Sequence, residues 1–160
     1  MTFNRAWRTG RISARTFRAL EHTGKRGILL GRGGGQARLP NSTINVAGGV
    51  PYGWLFWRVA VGVHHGGAGT TAEALRAGVP SVDIPMVPDQ AFWGSRVAAL
   101  GAGPDPIPPK QLTAERLASA ILQAANDVEM RKRCKELGEK VSAEDGVGRA
   151  VEAFEELAKP

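Results

Sequence analysis

Two adjacent histidines, His64 and His65, stand between an apolar run, Val61-Gly62-Val63, and a glycine-rich turn, Gly66-Gly67-Ala68-Gly69. The turn opens into Thr70-Thr71-Ala72-Glu73-Ala74-Leu75-Arg76-Ala77, a good helix-forming segment. This order of residue types suits the binding of an anion. Small residues let a diphosphate approach the backbone, and the helix start offers free N–H groups at the positive end of its dipole. An imidazole at the junction of strand and loop, His65, can reach the same anion, as can the N–H groups of Gly66, Gly67, Ala68 and Gly69 and the Thr70 hydroxyl. His64 has two open readings, a second ligand contact or a structural hydrogen bond. A glycine-rich turn between strand and helix is only moderately specific, but a dinucleotide fingerprint has no use for two imidazoles there.

The residues that follow supply the elements that must hold this turn. Gly78-Val79-Pro80 stops the helix, Ser81-Val82-Asp83-Ile84 reads as a buried strand, and Pro85 ends it. Asp89-Gln90 then precede Ala91-Phe92-Trp93-Gly94, the opening of another helix. Upstream, Ser13 is expected to cap a helix running to Leu20, with Gly24 as its stop. Arg26–Leu30 and Ser42–Val46 read as strands, and Gly31–Gly35 as a loop facing the ligand. Trp54-Leu55-Phe56 reads as a short apolar helix belonging to the core. Helical spacing recurs over Thr113–Ala125, and charged helices are expected at Val128–Lys140 and Gly148–Ala158. Alternation of strand and helix predicts an α/β fold with a Rossmann-like, doubly wound parallel sheet. Ligands on such sheets bind at the carboxyl ends of strands, where His65, Pro85 and Gly31 fall.

Composition narrows the classes. The 160 residues, 42% of them hydrophobic, suffice for one domain, taken as residues 1–160. A single cysteine, Cys134, excludes an internal disulfide, and His22, His64 and His65 lack metal-ligand spacing, so no metal and no cofactor are expected. The net charge of +6 is concentrated in residues 1–40, where Glu21 is the only acid. That basic arm reads as a solvated helix beside an anion site. It carries no nucleic-acid motif, and neither peripheral membrane contact nor a transit-peptide role has support beyond its charge. A cytoplasmic location is expected.

Taken together, HHGGAGTTAEALRAGVP, the following IP, DQ and FWG, and Ile107-Pro108-Pro109-Lys110-Gln111-Leu112-Thr113 resemble the donor-binding C-terminal half of GT-B glycosyltransferases. The similarity is to UDP-glucose:sterol glucosyltransferases and bacterial antibiotic and macrolide glycosyltransferases. It runs from about Ala19 to about Ala125. The resemblance implies a UDP-sugar or dTDP-sugar as substrate and an inverting, metal-independent transfer to a hydroxyl of a lipophilic acceptor such as a sterol, macrolide or phenol. It implies that His65 stabilises the leaving diphosphate, that Glu73 accepts from ribose hydroxyls, that Asp89 and Gln90 hold the sugar, and that the Val50 backbone reads the base. Glu73 also reads as an ordinary first-turn acid, and Asp89-Gln90 as the cap of the next helix. Three positions depart from the family: Gly49 where a large residue is usual, Trp57 for a proline, and Met86-Val87-Pro88 for a more aromatic, glycine-ended loop. Trp54 is the candidate to replace base stacking lost at Gly49.

No segment corresponds to the acceptor-binding N-terminal domain that supplies the base in the resembled enzymes. A first, central strand is also implied just before residue 1. The chain therefore reads as a C-terminal fragment, a misjudged start, or a half-enzyme that needs a partner, with self-association expected from open sheet edges. The competing reading is a non-catalytic nucleotide-sugar-binding partner of a separate acceptor domain. A nicotinamide-dependent oxidoreductase would need G-x-G-x-x-G, which Gly31–Gly35 does not provide.

Overall fold

The computed structural model describes residues 10–30, 43–46 and 50–159. The Gly31–Gly35 loop, Ser42 and Gly49 lie outside them. Helix α1 (Gly10–Thr23) precedes strands β1 (Gly27–Leu30) and β2 (Thr43–Val46), which pair in parallel with Gly27 opposite Thr43. Helix α2 (Tyr52–Leu55) tightens into a 3-10 turn at Phe56–Arg58. Strand β3 (Gly62–His64), helix α3 (Ala68–Arg76) and strand β4 (Ser81–Asp83) form a βαβ unit, with β3 parallel to β4. Helices α4 (Pro88–Ala99), α5 (Ala114–Asn126), α6 (Val128–Ala143) and α7 (Gly146–Leu157) complete the described chain.

The α/β class and the parallel pairing are as expected from the sequence. Among the described residues the strands register as two parallel ladders, β1–β2 and β3–β4. Helix α1 begins at Gly10, so Ser13 lies inside it and is not its cap; the stop at Gly24 holds, with φ of +62°. Arg15, Arg18 and His22 face solvent while Phe17 and Ala19 are buried, which is the solvated helix read from the basic arm. Thr113, Asp127 and Asp145 cap α5, α6 and α7 by accepting from Arg116 N, Met130 N and Gly148 N.

Val82, Ile84, Val97, Ile107, Leu112, Leu117 and Cys134 form the centre of the main core, with α1 packed on α5. Cys134 lies buried with its thiol pointed at Ala102 O at 3.4 Å, and burial pushes its pKa up to about 11. A second cluster, Phe56, Ala74 and Val79, lies between the α2 segment and α3. Leu55 and Phe56 are buried as expected, but Trp54 is not part of the core. It is 53% exposed because α2 spans one turn and turns only one side inward; the Arg58 guanidinium covers its ring at 4.2 Å. Helix α6 approaches α3 closely at Gly138, where a Cβ would stand 2.7 Å from Leu75 O. Helix α7 leaves Val147, Val151, Phe154 and Leu157 exposed. No helix among the described residues is long and apolar enough to cross a membrane.

Candidate nucleotide-sugar site

The turn after β3 is built from requirements that only glycine meets at two positions. Gly66 has φ of +79°, and a Cβ there would stand 2.8 Å from Gln90 O. At Gly67 a Cβ would stand 2.5 Å from His65 Nε2. Gly67 is the N-cap of α3 and supplies no side-chain cap, so the first-turn N–H groups of Ala68, Gly69 and Thr70 have no side-chain acceptor. Ala68 and Gly69 are exposed, whereas Thr70 is nearly buried. The next residue, Thr71, is 2% exposed and its hydroxyl has no protein partner.

His65 is half-buried beside that helix start. Its Nδ1 points inward without a partner, while Nε2 lies against Gly67. A buried bare nitrogen is tolerated better than a buried orphan N–H, which favours the tautomer with its proton on Nε2, at the helix start. Burial lowers the His65 pKa and the nearby His64 ring adds to this, while the Asp83 and Asp89 carboxylates pull it partly back. The ring therefore meets an approaching anion as a neutral donor through Nε2–H.

His64 is 1% exposed and takes the structural role. The period of two along parallel strands puts His64, Ser81 and Asp83 on one face. His64 Nε2 lies 3.0 Å from Ser81 Oγ, and Nδ1 lies 2.9 Å from Asp83 Oδ1. Gly66 N–H also points at Nδ1, at 3.1 Å, and the Phe56 ring closes over the imidazole edge-on. Ser81 and Asp83 are the contributors to this site that motif reading passes over. Their trace in the sequence is a pair of polar residues at i and i+2 in a strand otherwise made of Val82 and Ile84.

The remaining candidates divide. Asp89 lies exposed in the first turn of α4, close enough to His65 to act on its charge. Gln90 is buried, and its Oε1 accepts from Met86 N at 2.8 Å, so it clamps the loop after β4. The cap of α4 is Val87, with Pro88 in the first turn, so Asp89 and Gln90 are already inside the helix and do not cap it. Glu73 lies on α3 with one oxygen paired to Arg76 Nη1 at 2.6 Å; the other faces Gly53 at the start of α2, 3.2 Å from where its Cβ would stand. Val50 is half-buried just before Pro51, the N-cap of α2. Phe92 and Trp93 pack edge-on against each other, both exposed, so Trp93 stands on the surface of α4.

A βαβ unit whose helix start is uncapped and cleared by glycine, with an imidazole beside it, is an α/β arrangement on which an anion could rest. Solved glycosyltransferases share the fold. Spinosyn forosaminyltransferase superposes with a TM-score of 0.82 at 19% identity, covering 96% of this chain and 39% of that one. The calicheamicin glycosyltransferase gives 0.80 at 24%, covering 95% and 40%. Glycosyltransferase VinC, solved in complex with dTDP, gives 0.76 at 24%, covering 89% and 37%. The fold is thus that of one half of a GT-B glycosyltransferase. Residues 31–157 match the model of the erythromycin biosynthesis protein CIII-like C-terminal domain, and the chain belongs to that family. Among curated relatives, the O-mycaminosyltylonolide 6-deoxyallosyltransferase of Streptomyces fradiae is 42% identical over 136 residues, 85% of this chain and 32% of its own length. A sterol 3-beta-glucosyltransferase of Arabidopsis thaliana is 42% identical over 138 residues, 85% and 22%. The chain spans about a third or less of these relatives.

Proposed function

We propose that this chain is the donor-binding domain of an inverting, metal-independent glycosyltransferase. It would move a hexose from a UDP-sugar or dTDP-sugar to a hydroxyl of a lipophilic acceptor. The observation that carries the reading is His65 Nε2 lying against the uncapped first turn of α3. Two kinds of N–H donor, ring and backbone, converge there on the space a diphosphate would take.

The chemistry follows from charge. As the glycosidic bond to the diphosphate breaks, negative charge grows on the leaving oxygen. Preorganised N–H groups of α3 and the His65 ring would stabilise it. The acceptor hydroxyl would attack the anomeric carbon from the opposite face, giving inversion. Its base would come from the part of the relatives beyond the matched third. Asp89, exposed at the start of α4, would hold sugar hydroxyls, and Glu73 would accept from the ribose diol once it leaves Arg76. Gln90 serves the sugar through the loop it clamps, with its amide nitrogen as the group left to donate.

Calorimetry with UDP-glucose and dTDP-glucose, in magnesium and again in chelator, tests the reading. Binding in both buffers is expected. A folded chain that binds neither overturns it, and binding only with magnesium overturns the metal-free part.

A further inference from the structure

UDP and dTDP, the two nucleotides a donor could carry, differ in their pentose. Ribose presents a 2′,3′-diol, deoxyribose a single 3′-hydroxyl. A carboxylate is acceptor-only, and it holds a diol best with one oxygen on each hydroxyl. Glu73 is the carboxylate between the two ends of the proposed donor site. It lies about one turn beyond Thr70 on α3, away from the helix start that takes the diphosphate. Its Oε2 faces Gly53, 3.2 Å from where a Cβ there would stand. Gly53 stands in the first turn of α2, just after Val50 and Pro51, the segment read as meeting the base.

The two oxygens of Glu73 are not equivalent. Oε1 accepts from Arg76 Nη1 at 2.6 Å, a short charge-assisted bond. No donor among the described residues reaches Oε2, and the bare Gly53 leaves it open. A single hydroxyl can therefore meet Oε2 with the ion pair intact. A diol must take Oε1 from the guanidinium before both of its hydroxyls are held. The Arg76 and Glu73 side chains are 45% and 33% exposed, so theirs is a surface pair, worth up to about fivefold in an equilibrium. That cost falls on the ribonucleotide alone.

We propose that Arg76 is a positioning residue that sets nucleotide specificity: by holding Oε1 of Glu73 it disfavours a ribonucleoside diphosphate against its 2′-deoxy counterpart, and tilts the site toward donors of the dTDP class. The proposal rests on the donor-site reading above. Arg76 lies in the last turn of α3, far from the diphosphate end, and acts only through Glu73.

Calorimetry on the full 160-residue chain with UDP and with 2′-deoxyuridine diphosphate decides the matter. The two ligands share base and diphosphate, so the ratio of their affinities reports the 2′-hydroxyl alone. Arg76→Met keeps the aliphatic stem on the surface of α3 and removes the donor. It is expected to raise the preference for UDP over the deoxy ligand by about two- to fivefold relative to wild type, the strength of the pair. Arg76→Gln, which also removes the charge, is expected to move the ratio the same way. Arg76→Met/Glu73→Ala is expected to lose the gain. An unchanged ratio in both single variants overturns the proposal, and so does a gain that survives without Glu73. Failure of folded wild type to bind either ligand sinks the donor-site reading and this proposal with it, whereas binding with a constant ratio sinks the proposal alone.

Discussion

At the residue scale, the two histidines have opposite duties although they are adjacent. On the proposed reading His65 meets the diphosphate, so His65→Ala is expected to weaken UDP by about 1.5–3 kcal/mol, the range for hydrogen bonds to charged groups. Uridine, which lacks the diphosphate, should bind the variant as it binds wild type; calorimetry with both ligands checks this. His64→Ala instead strands Asp83 in the interior, and a loss of about 3–5 kcal/mol of folding stability is expected from urea unfolding. His65 also sets a pH dependence. Its pKa is lowered in the folded chain, so the unfolded chain binds more protons as pH falls through the ordinary histidine value of about 6.5. The ligand-free protein therefore loses stability below that value and keeps its full share above it. Bound anion raises the same pKa, so nucleotide sugar should offset the acid loss; thermal melts across pH with and without UDP-glucose measure both.

At the scale of elements, the site depends on how closely α3 is held from both ends. Its start is cleared by Gly67, and Gly67→Ala should displace the His65 ring and cost diphosphate affinity as much as His65→Ala, with folding nearly intact. Its far end is held by α6 at Gly138, where an added Cβ meets the Leu75 and Arg76 carbonyls and the Gly78 amide. These are backbone atoms with no rotamer to yield, so Gly138→Ala should push the helices apart and destabilise by about 1–3 kcal/mol. The pair of variants separates a binding glycine from a packing glycine when affinity and stability are both measured. Gln90 belongs to this scale as well. A residue read as a sugar contact is, in the fold, also the clamp that sets the loop following β4.

At the scale of the whole molecule, the chain belongs to a glycosyltransferase C-terminal-domain family and spans about a third or less of its curated relatives. Ligand binding to the folded state alone stabilises by mass action. At a hundredfold excess over Kd the gain is about 2.7 kcal/mol, on the order of a 5–10 °C rise in Tm for a chain of this size. UDP-glucose or dTDP-glucose is expected to produce that rise, unchanged by chelator. A flat melt at saturating nucleotide sugar would contradict the donor-site reading.

The turn from His64 to Thr70 and the helix behind it were legible from the sequence because their causes are local. Glycine's freedom at Gly66, the dipole of a helix start and the period of apolar residues are properties of a few contiguous residues, and the motif they make is long enough to show a family. The strands and the stop at Gly24 were readable for the same reason. That His64 is buried among protein partners was not, and its two readings stayed open. His64 and His65 are the same residue type one position apart, and their fates are set by which side of β3 the rest of the fold covers. That side is decided by pairing with β4, which sets His64 opposite Asp83, and by Phe56 closing from the 3-10 turn after α2. Asp83 and Ser81 become partners of His64 only through that register, and Trp54 is left outside because its one-turn helix has a single inner face. Local chemistry is written in neighbouring residues; burial and partnership belong to contacts between residues far apart in the chain, which only the tertiary structure brings together.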